Sequence, residues 1–273
     1  MCDWTIREYT PADVPQMAAL WQRSFGDSEG FVQAFFAALP DMGSGVVAVC
    51  GEKVIGAAYT LNGQELLDGT GAKAPVIGYL YGVSVEREYR HHGIGGALVK
   101  AVYALSQKRE AKIVCTLPAE ASLYDWYEKL LGLRPVLYRK KQAVKAAQLE
   151  LSMELSSTEY MIWRENMLRG QAHLHLSNYA LEFEKKLLKE YGGGFFAVES
   201  GIAAAYVENG VGLIRELIVP DSKLLPRAAS SVAYALGVEQ AWLYLPASAQ
   251  DGERYIAADS ALPEGCIWNL SFD

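Results

Sequence analysis

The feature that most constrains this chain is that it repeats part of itself. VVAVCGEKVIGAAYTLNG at residues 46–63 returns as FFAVESGIAAAYVENG at 195–210. VYALS at 102–106 is echoed by AYALG at 233–237, and TLPAEA at 116–121 by YLPASA at 244–249. Three matches in one order, separated by similar elements, imply two copies of one strand–helix–strand core. The expected division is therefore 1–150 and 151–273. With 273 residues, the length also fits two modest domains able to bury a core without disulfides or metal.

Periodicity fills in the first copy. WTIREY (4–9) reads as a strand, and Thr10, Asp13 and Pro15 are helix-starting residues. Helical spacing runs through Met17, Leu20, Trp21 and Phe25. A second helix carries Phe31, Phe35 and Phe36 and ends near Pro40. GVVAVC, KVIGAAYTL and PVIGYLYGVSV follow as antiparallel strands broken by Gly, Asn and Asp. Then come EREYRHHGIGG, the helical GALVKAVYALSQKRE, the strand KIVCTLP, the helix ASLYDWYEKLL with Gly132 as its C-cap, and a last strand in RPVLYRKKQAV. The order β-α-α-β-β-β-α-β-α-β predicts a mixed α/β (α+β) fold, with sheets flanked by helices in both copies. Between the copies, TEYMIWRENMLRG and ALEFEKKLLKEYGGG read as helical and stand where the first copy has its two early helices.

The chemistry is expected in the loop Arg90-His91-His92-Gly93-Ile94-Gly95-Gly96, between a strand and a helix. Glycines let the backbone turn sharply and approach a ligand closely. Successive N–H groups at a helix start, with the helix dipole behind them, favour an anion, most naturally a phosphate or pyrophosphate. Arg90 adds positive charge. A dinucleotide fingerprint would need glycine at Leu98, and a P-loop would need GK[ST]; neither is present. In the second copy this loop has become PDSKLLPRAASS, without glycine, and Val219 to Tyr234 spans 15 positions where Val85 to Tyr103 spans 18.

The phrase VSVEREYRHHGIGGALV, after GYLYGVSV and before TLP…WYEKLLGL, resembles the acetyl-CoA motif of the GNAT superfamily of N-acetyltransferases. The resemblance covers residues 1–138 directly and the remainder only through the repeat. It implies a tandem GNAT protein with a degenerate second copy that shapes the acceptor site. It further implies that the backbone of Val83, Ser84 and Val85 receives the pantetheine arm and thioester, and that the amides from His91 through Gly96 receive the pyrophosphate. The two histidines read as solvated loop residues. The implied reaction moves an acetyl group from acetyl-CoA to the primary amine of a small molecule or peptide, with no metal.

In such a reaction a tyrosine protonates the leaving thiolate. The matching segment, Trp126-Tyr127-Glu128-Lys129-Leu130-Leu131-Gly132-Leu133, carries one residue more than the family's motif between Lys and Gly. Tyr127 is the first candidate and Tyr124, one helical turn earlier, the alternative. No base stands out: GYLYGVSV holds no carboxylate, and Glu65 and Asp68 fall in a polar turn. The carboxylate of Asp273 is one further candidate. His173 and His175 read as part of a helical stretch, where i,i+2 spacing does not share a face. A non-catalytic acyl-CoA sensor is the alternative from another class.

Lys and Arg number 25 against 32 Asp and Glu, a net charge of −7. That balance argues against nucleic acid or an anionic membrane as partner, and so against a transferase using charged tRNA. No signal peptide or spanning run is visible. Cys2, Cys50, Cys115 and Cys266 form no CxxC pair and no disulfide scaffold, which fits a cytoplasmic protein.

Overall fold

The computed structural model describes residues 3–70 and 75–270. Cys2 and Asp273 lie outside them. The chain forms two units, and the division differs from the expected one. The first takes nearly everything up to Val136 together with Tyr255–Leu262; the core of the second is Leu137–Arg254.

In the first unit β1 (Trp4–Glu8) leads into α1 (Val14–Phe25) and α2 (Glu29–Met42). Both helix starts follow from local chemistry. Asp13 closes a capping box with Thr10, and Pro15 lies in the first turn of α1. Ser28 caps α2 by accepting from the Phe31 N–H at 3.0 Å. α1 ends on Gly26 in the left-handed region. α2 runs past Pro40 to Met42, forgoing the bond that an N–H at position 40 would make to Phe36 O.

The strands β2 (Gly43–Cys50), β3 (Lys53–Leu67) and β4 (Val76–Val85) are antiparallel neighbours, as their turn signals predict. α3 (Ile94–Lys108), β5 (Ile113–Thr116) and α4 (Ala121–Leu131) follow in the sequence-predicted order, and the expected last strand is split, its first part being the two-residue β6 (Arg134–Pro135). Gly132 is the left-handed C-cap of α4. One sheet face buries Ile94, Leu98, Val99 and Val102 of α3 and Tyr124 and Tyr127 of α4 against Val46, Ala58, Leu80 and Val114. The alternating positions of the other face, Tyr59 and Tyr81, pack on Trp21 and Phe35 of α1 and α2.

The second unit contains β7 (Tyr138–Lys145), β8 (Ser152–Leu155), α5 (Ser157–Met167), β9 (His173–Leu176), α6 (Asn178–Glu190), β10 (Gly194–Val198), β11 (Gly201–Glu208), β12 (Val211–Ile218), α7 (Leu225–Ala235), β13 (Gln240–Ala247) and β14 (Glu253–Arg254). β15 (Ala257–Ala258) returns to the first unit. The sheet orders are β1-β2-β3-β4-β5-β15-β6 and β14-β7-β13-β12-β11-β10-β8.

The copies thus exchange a strand. β7, expected to close the first copy's sheet, pairs antiparallel with β13 from Gln240↔Lys145 to Ala247↔Tyr138. β15 instead takes the place beside β5, with Ala257 opposite Thr116. Period-two patterning marks a strand but not its partner. A second correction concerns His173 and His175. They lie on β9, where i,i+2 residues share a face, and both approach Glu165 at 3.1 Å. Cys50 is disulfide-bonded, against the expectation from cysteine spacing, whereas Cys115 and Cys266 are buried and free.

Candidate active site

β4 and β5 run parallel only from Ile77↔Ile113 to Leu80↔Thr116. Past that rung β4 continues to Val85 on its β3 side alone, with Ser84 opposite Ala57 and Val85 opposite Gly56. The parting has a local cause. Between Tyr81↔Tyr59 and Ser84↔Ala57 the ladder carries one extra residue on β4, a bulge at Gly82 and Val83. Gly82 there takes φ +58°, a conformation that glycine adopts without strain. The backbone of Val83, Ser84 and Val85 therefore lies beyond the last rung to β5 and faces, among the described residues, no strand on that side.

The Glu86 N–H anchors the strand end by donating to Ile55 O at 2.9 Å, and the Glu86 carboxylate pairs with Arg23 of α1. Arg90 Nε donates to Val85 O at 3.0 Å, which ties the loop to the strand. His91, exposed, takes a left-handed φ of +64°, and Gly93 takes +78° as the N-cap of α3. The first intrahelical bond joins the Ala97 N–H to Gly93 O at 3.1 Å. The N–H groups of Ile94, Gly95 and Gly96 come before it and point out of the helix end.

What the glycines leave open is informative. A Cβ at Gly95 would approach nothing nearer than Val85 Cγ2 at 3.8 Å, and one at Gly96 nothing nearer than Leu130 Cδ1 at 3.8 Å. The protein's own packing does not require glycine at either position. Their absent side chains leave bare backbone at a positive helix end, which fits a bulky anion such as pyrophosphate.

At the other end of the parting stands Tyr127 of α4. Its hydroxyl interacts with the Thr116 side chain, and burial pushes the phenol up to about 12. Thr116 Oγ1 in turn donates to Leu80 O at 3.0 Å, so the Tyr127 hydroxyl lies at the last rung between β4 and β5. Tyr124 is engaged elsewhere: its hydroxyl donates to Tyr255 O at 2.8 Å, holding the returning segment before β15. The structure thus brings the strand end, the loop and Tyr127 onto one strand junction. Glu65 is exposed near the end of β3, and the Asp68 carboxylate accepts from the Thr70 backbone and hydroxyl.

Sequence reasoning passed over Gly82. The signal was present, since an isolated glycine inside a strand pattern marks a bulge.

Residues 5–128 match the family model described as acetyltransferase (GNAT) domain, and this part of the chain is a domain of that family. The fold of nearly the whole chain recurs in solved structures. A GCN5-related N-acetyltransferase from Kribbella flavida superposes with a TM-score of 0.69 at 18% identity, over 94% of this chain and 71% of that one. A GCN5-related N-acetyltransferase from Anabaena variabilis gives 0.69 at 12%, over 94% and 72%. Eis1 from Mycobacterium abscessus gives 0.64 at 11%, over 95% and 73%. Likenesses at these identities establish the shared tandem fold. No curated protein matches the sequence. No helix among the described residues is long and apolar enough to cross a membrane.

Proposed function

We propose that the protein is an acetyl-CoA-dependent N-acetyltransferase acting on a primary amine of a small molecule or peptide. The observation that carries the reading is the strand junction. β4 leaves β5 after Leu80, and the bared strand leads directly into a glycine-opened helix start. In this reading the amides from His91 through Gly96, with Arg90 beside them, hold the pyrophosphate. The backbone of Val83, Ser84 and Val85 holds the pantetheine arm and thioester. A backbone N–H there stabilises the negative charge that builds on the carbonyl oxygen.

The amine nitrogen attacks the carbonyl carbon, the carbon–sulfur bond breaks, and the sulfur leaves with the proton of the Tyr127 phenol. Tyr127 regains a proton from solvent, and the proton lost by the amine goes to solvent. A phenol raised to about 12 is fully protonated at neutral pH, as a donor to a thiolate must be. The Tyr124 hydroxyl is tied to Tyr255 O, whereas that of Tyr127 lies at the last rung between β4 and β5, which favours Tyr127 for this role. Holding both reactants in line supplies the remaining catalysis that these residues account for.

Thermal unfolding tests the reading with acetyl-CoA, CoA, ATP and NAD, on the native protein and on Gly95→Asp. The variant adds a negative charge where packing tolerates a side chain. Ligand at about 100 times its dissociation constant stabilises by about 2.7 kcal/mol. At roughly 2–4 °C per kcal/mol in a chain of this length, that is a shift of about 5–11 °C. A shift with the two CoA species alone, lost in Gly95→Asp, is expected. A native-like melt with no CoA shift would overturn the reading. Strong CoA shifts without turnover over a broad amine panel would favour the acyl-CoA sensor instead.

A further inference from the structure

The bulge that parts β4 from β5 packs most closely on the ring of Trp21, with Tyr59 Cδ2 next, 3.0 Å from where a Cβ on Gly82 would lie. A Cβ built on Gly82 would lie 2.5 Å from Trp21 Cζ3 and 2.8 Å from Cη2, so the indole presses on the bulge backbone itself. With no side chain between them, a displacement of the ring reaches the strand directly. Trp21 is buried among Phe31, Phe35, Phe36, Tyr59 and Tyr81, with centroids 4.5–6.2 Å away. Packing of this density limits the ring to one orientation.

The opposite end of the indole is also fixed. Trp21 Nε1 donates to Asp27 Oδ2 at 2.7 Å. Asp27 is half-buried and sits between the left-handed C-cap of α1 at Gly26 and the N-cap of α2 at Ser28. Two capped helix ends therefore hold the carboxylate, the carboxylate holds the pyrrole edge, and the benzo edge holds Gly82. A charge-assisted hydrogen bond of this length is among the stronger kinds.

We propose that Trp21, pinned by Asp27, is the positioning residue for the acyl group, setting the bulge at Gly82 and Val83 and thereby the direction of the backbone groups of Val83, Ser84 and Val85. The inference rests on the acetyl-CoA reading given above. It goes beyond that reading by separating two tasks. The loop from Arg90 to Gly96 grips the nucleotide end, and the Trp21–Asp27 pair orients the thioester end without touching the loop.

Calorimetric titration of the full chain with CoA and with acetyl-CoA tests the separation, on native protein, Trp21→Phe, Asp27→Ala and Asp27→Asn. Phenylalanine keeps an aromatic ring but loses the N–H and the reach to Gly82. Asparagine keeps an oxygen that accepts from Nε1. CoA affinity is expected to stay within about twofold throughout, which also confirms that each variant is folded. The preference for acetyl-CoA over CoA is expected to fall about tenfold in Trp21→Phe and Asp27→Ala, the scale of one lost hydrogen bond, and to recover in Asp27→Asn. Equal losses for both ligands, or an unchanged preference in Trp21→Phe, would overturn the inference. A native protein that binds neither ligand would overturn the acetyl-CoA reading itself, a result distinct from these.

Discussion

At the bulge of β4 the first unit places Gly82; at the bulge of β12 the second places Arg215, followed by Glu216. Both bulges part their strand from a parallel neighbour, since β12 and β13 pair only from Gly212↔Ala241 to Ile214↔Leu243. Beyond this shared geometry the contents differ. Glu216 is completely buried, accepting from the Tyr160 hydroxyl at 2.7 Å and from Arg164 Nε and Nη2 at 2.8 and 3.1 Å. The guanidinium of Arg215 lies over the rings of Tyr206 and Tyr244.

The helix starts differ in the same sense. Where α3 opens with bare amides, α7 is preceded by Asp221, whose carboxylate accepts from the Lys223 N–H, and carries a proline in its first turn. A carboxylate and a missing N–H make a poor anion seat. After β13 the chain enters a turn and β14 rather than a helix, so nothing there corresponds to Tyr127. One strand junction has been kept open and furnished with donors; its copy has been filled with a buried ion pair that serves the fold.

The largest effect that would sharpen this contrast lies in the second unit. Glu216→Gln leaves the buried Arg164 with only the more distant carboxylate of Glu165, at 3.5 Å, which costs about 3–5 kcal/mol. Chemical denaturation should show that loss, while CoA binding per folded molecule stays at the native value. A loss below about 1 kcal/mol would mean that the pair does not serve the fold, on the scale of an exposed pair.

In the first unit, Tyr127→Phe should lower kcat about 10²-fold and leave acetyl-CoA affinity at its native level. Burial holds the phenol protonated up to pH about 12, so native kcat should show no alkaline decline from this group between pH 8 and 10. A decline in that range that disappears in Tyr127→Phe would contradict the raised phenol while keeping Tyr127 as the acid. Loss of acetyl-CoA binding with unaltered kcat would make Tyr127 a packing residue.

The smallest effect lies at the entry to α1. Two hydrogen bonds from Arg7, at 2.7 and 2.8 Å, hold the Asp13 carboxyl well below its ordinary value of 3.8. A depressed folded value means that the stabilisation is present above about pH 4 and fades as the pH falls below it. Arg7 is half-exposed, so solvent screening limits the contribution to about 1 kcal/mol or less. Native protein and Asp13→Asn should differ in stability at pH 7, and the difference should narrow steadily as the pH falls below about 4. A difference that widened in acid would break the account of this pair.

Much of this was legible in the sequence because local chemistry fixed it. Caps, turn glycines and the spacing of Met17, Leu20 and Trp21 marked the helices, and the glycine loop marked its own position. What was hidden required knowledge of partners. β7 and β15 have strand patterns that do not record which sheet receives them. The pattern HLHL at 173–176 has the period of a strand, yet sits between two helical runs that masked it. Tyr124 and Tyr127 both face the core from α4, and only the carbonyl of Tyr255, distant in sequence, separates them. Trp21 read as one aromatic of a packed helix, because its contact with Gly82 spans 61 positions.

The central claim is that one junction of the two receives acetyl-CoA. Calorimetric stoichiometry tests it most directly, on native protein and on Gly95→Asp. The account predicts one equivalent of acetyl-CoA per chain in the native protein and none in the variant. Two equivalents, or one equivalent that survives Gly95→Asp, would contradict it.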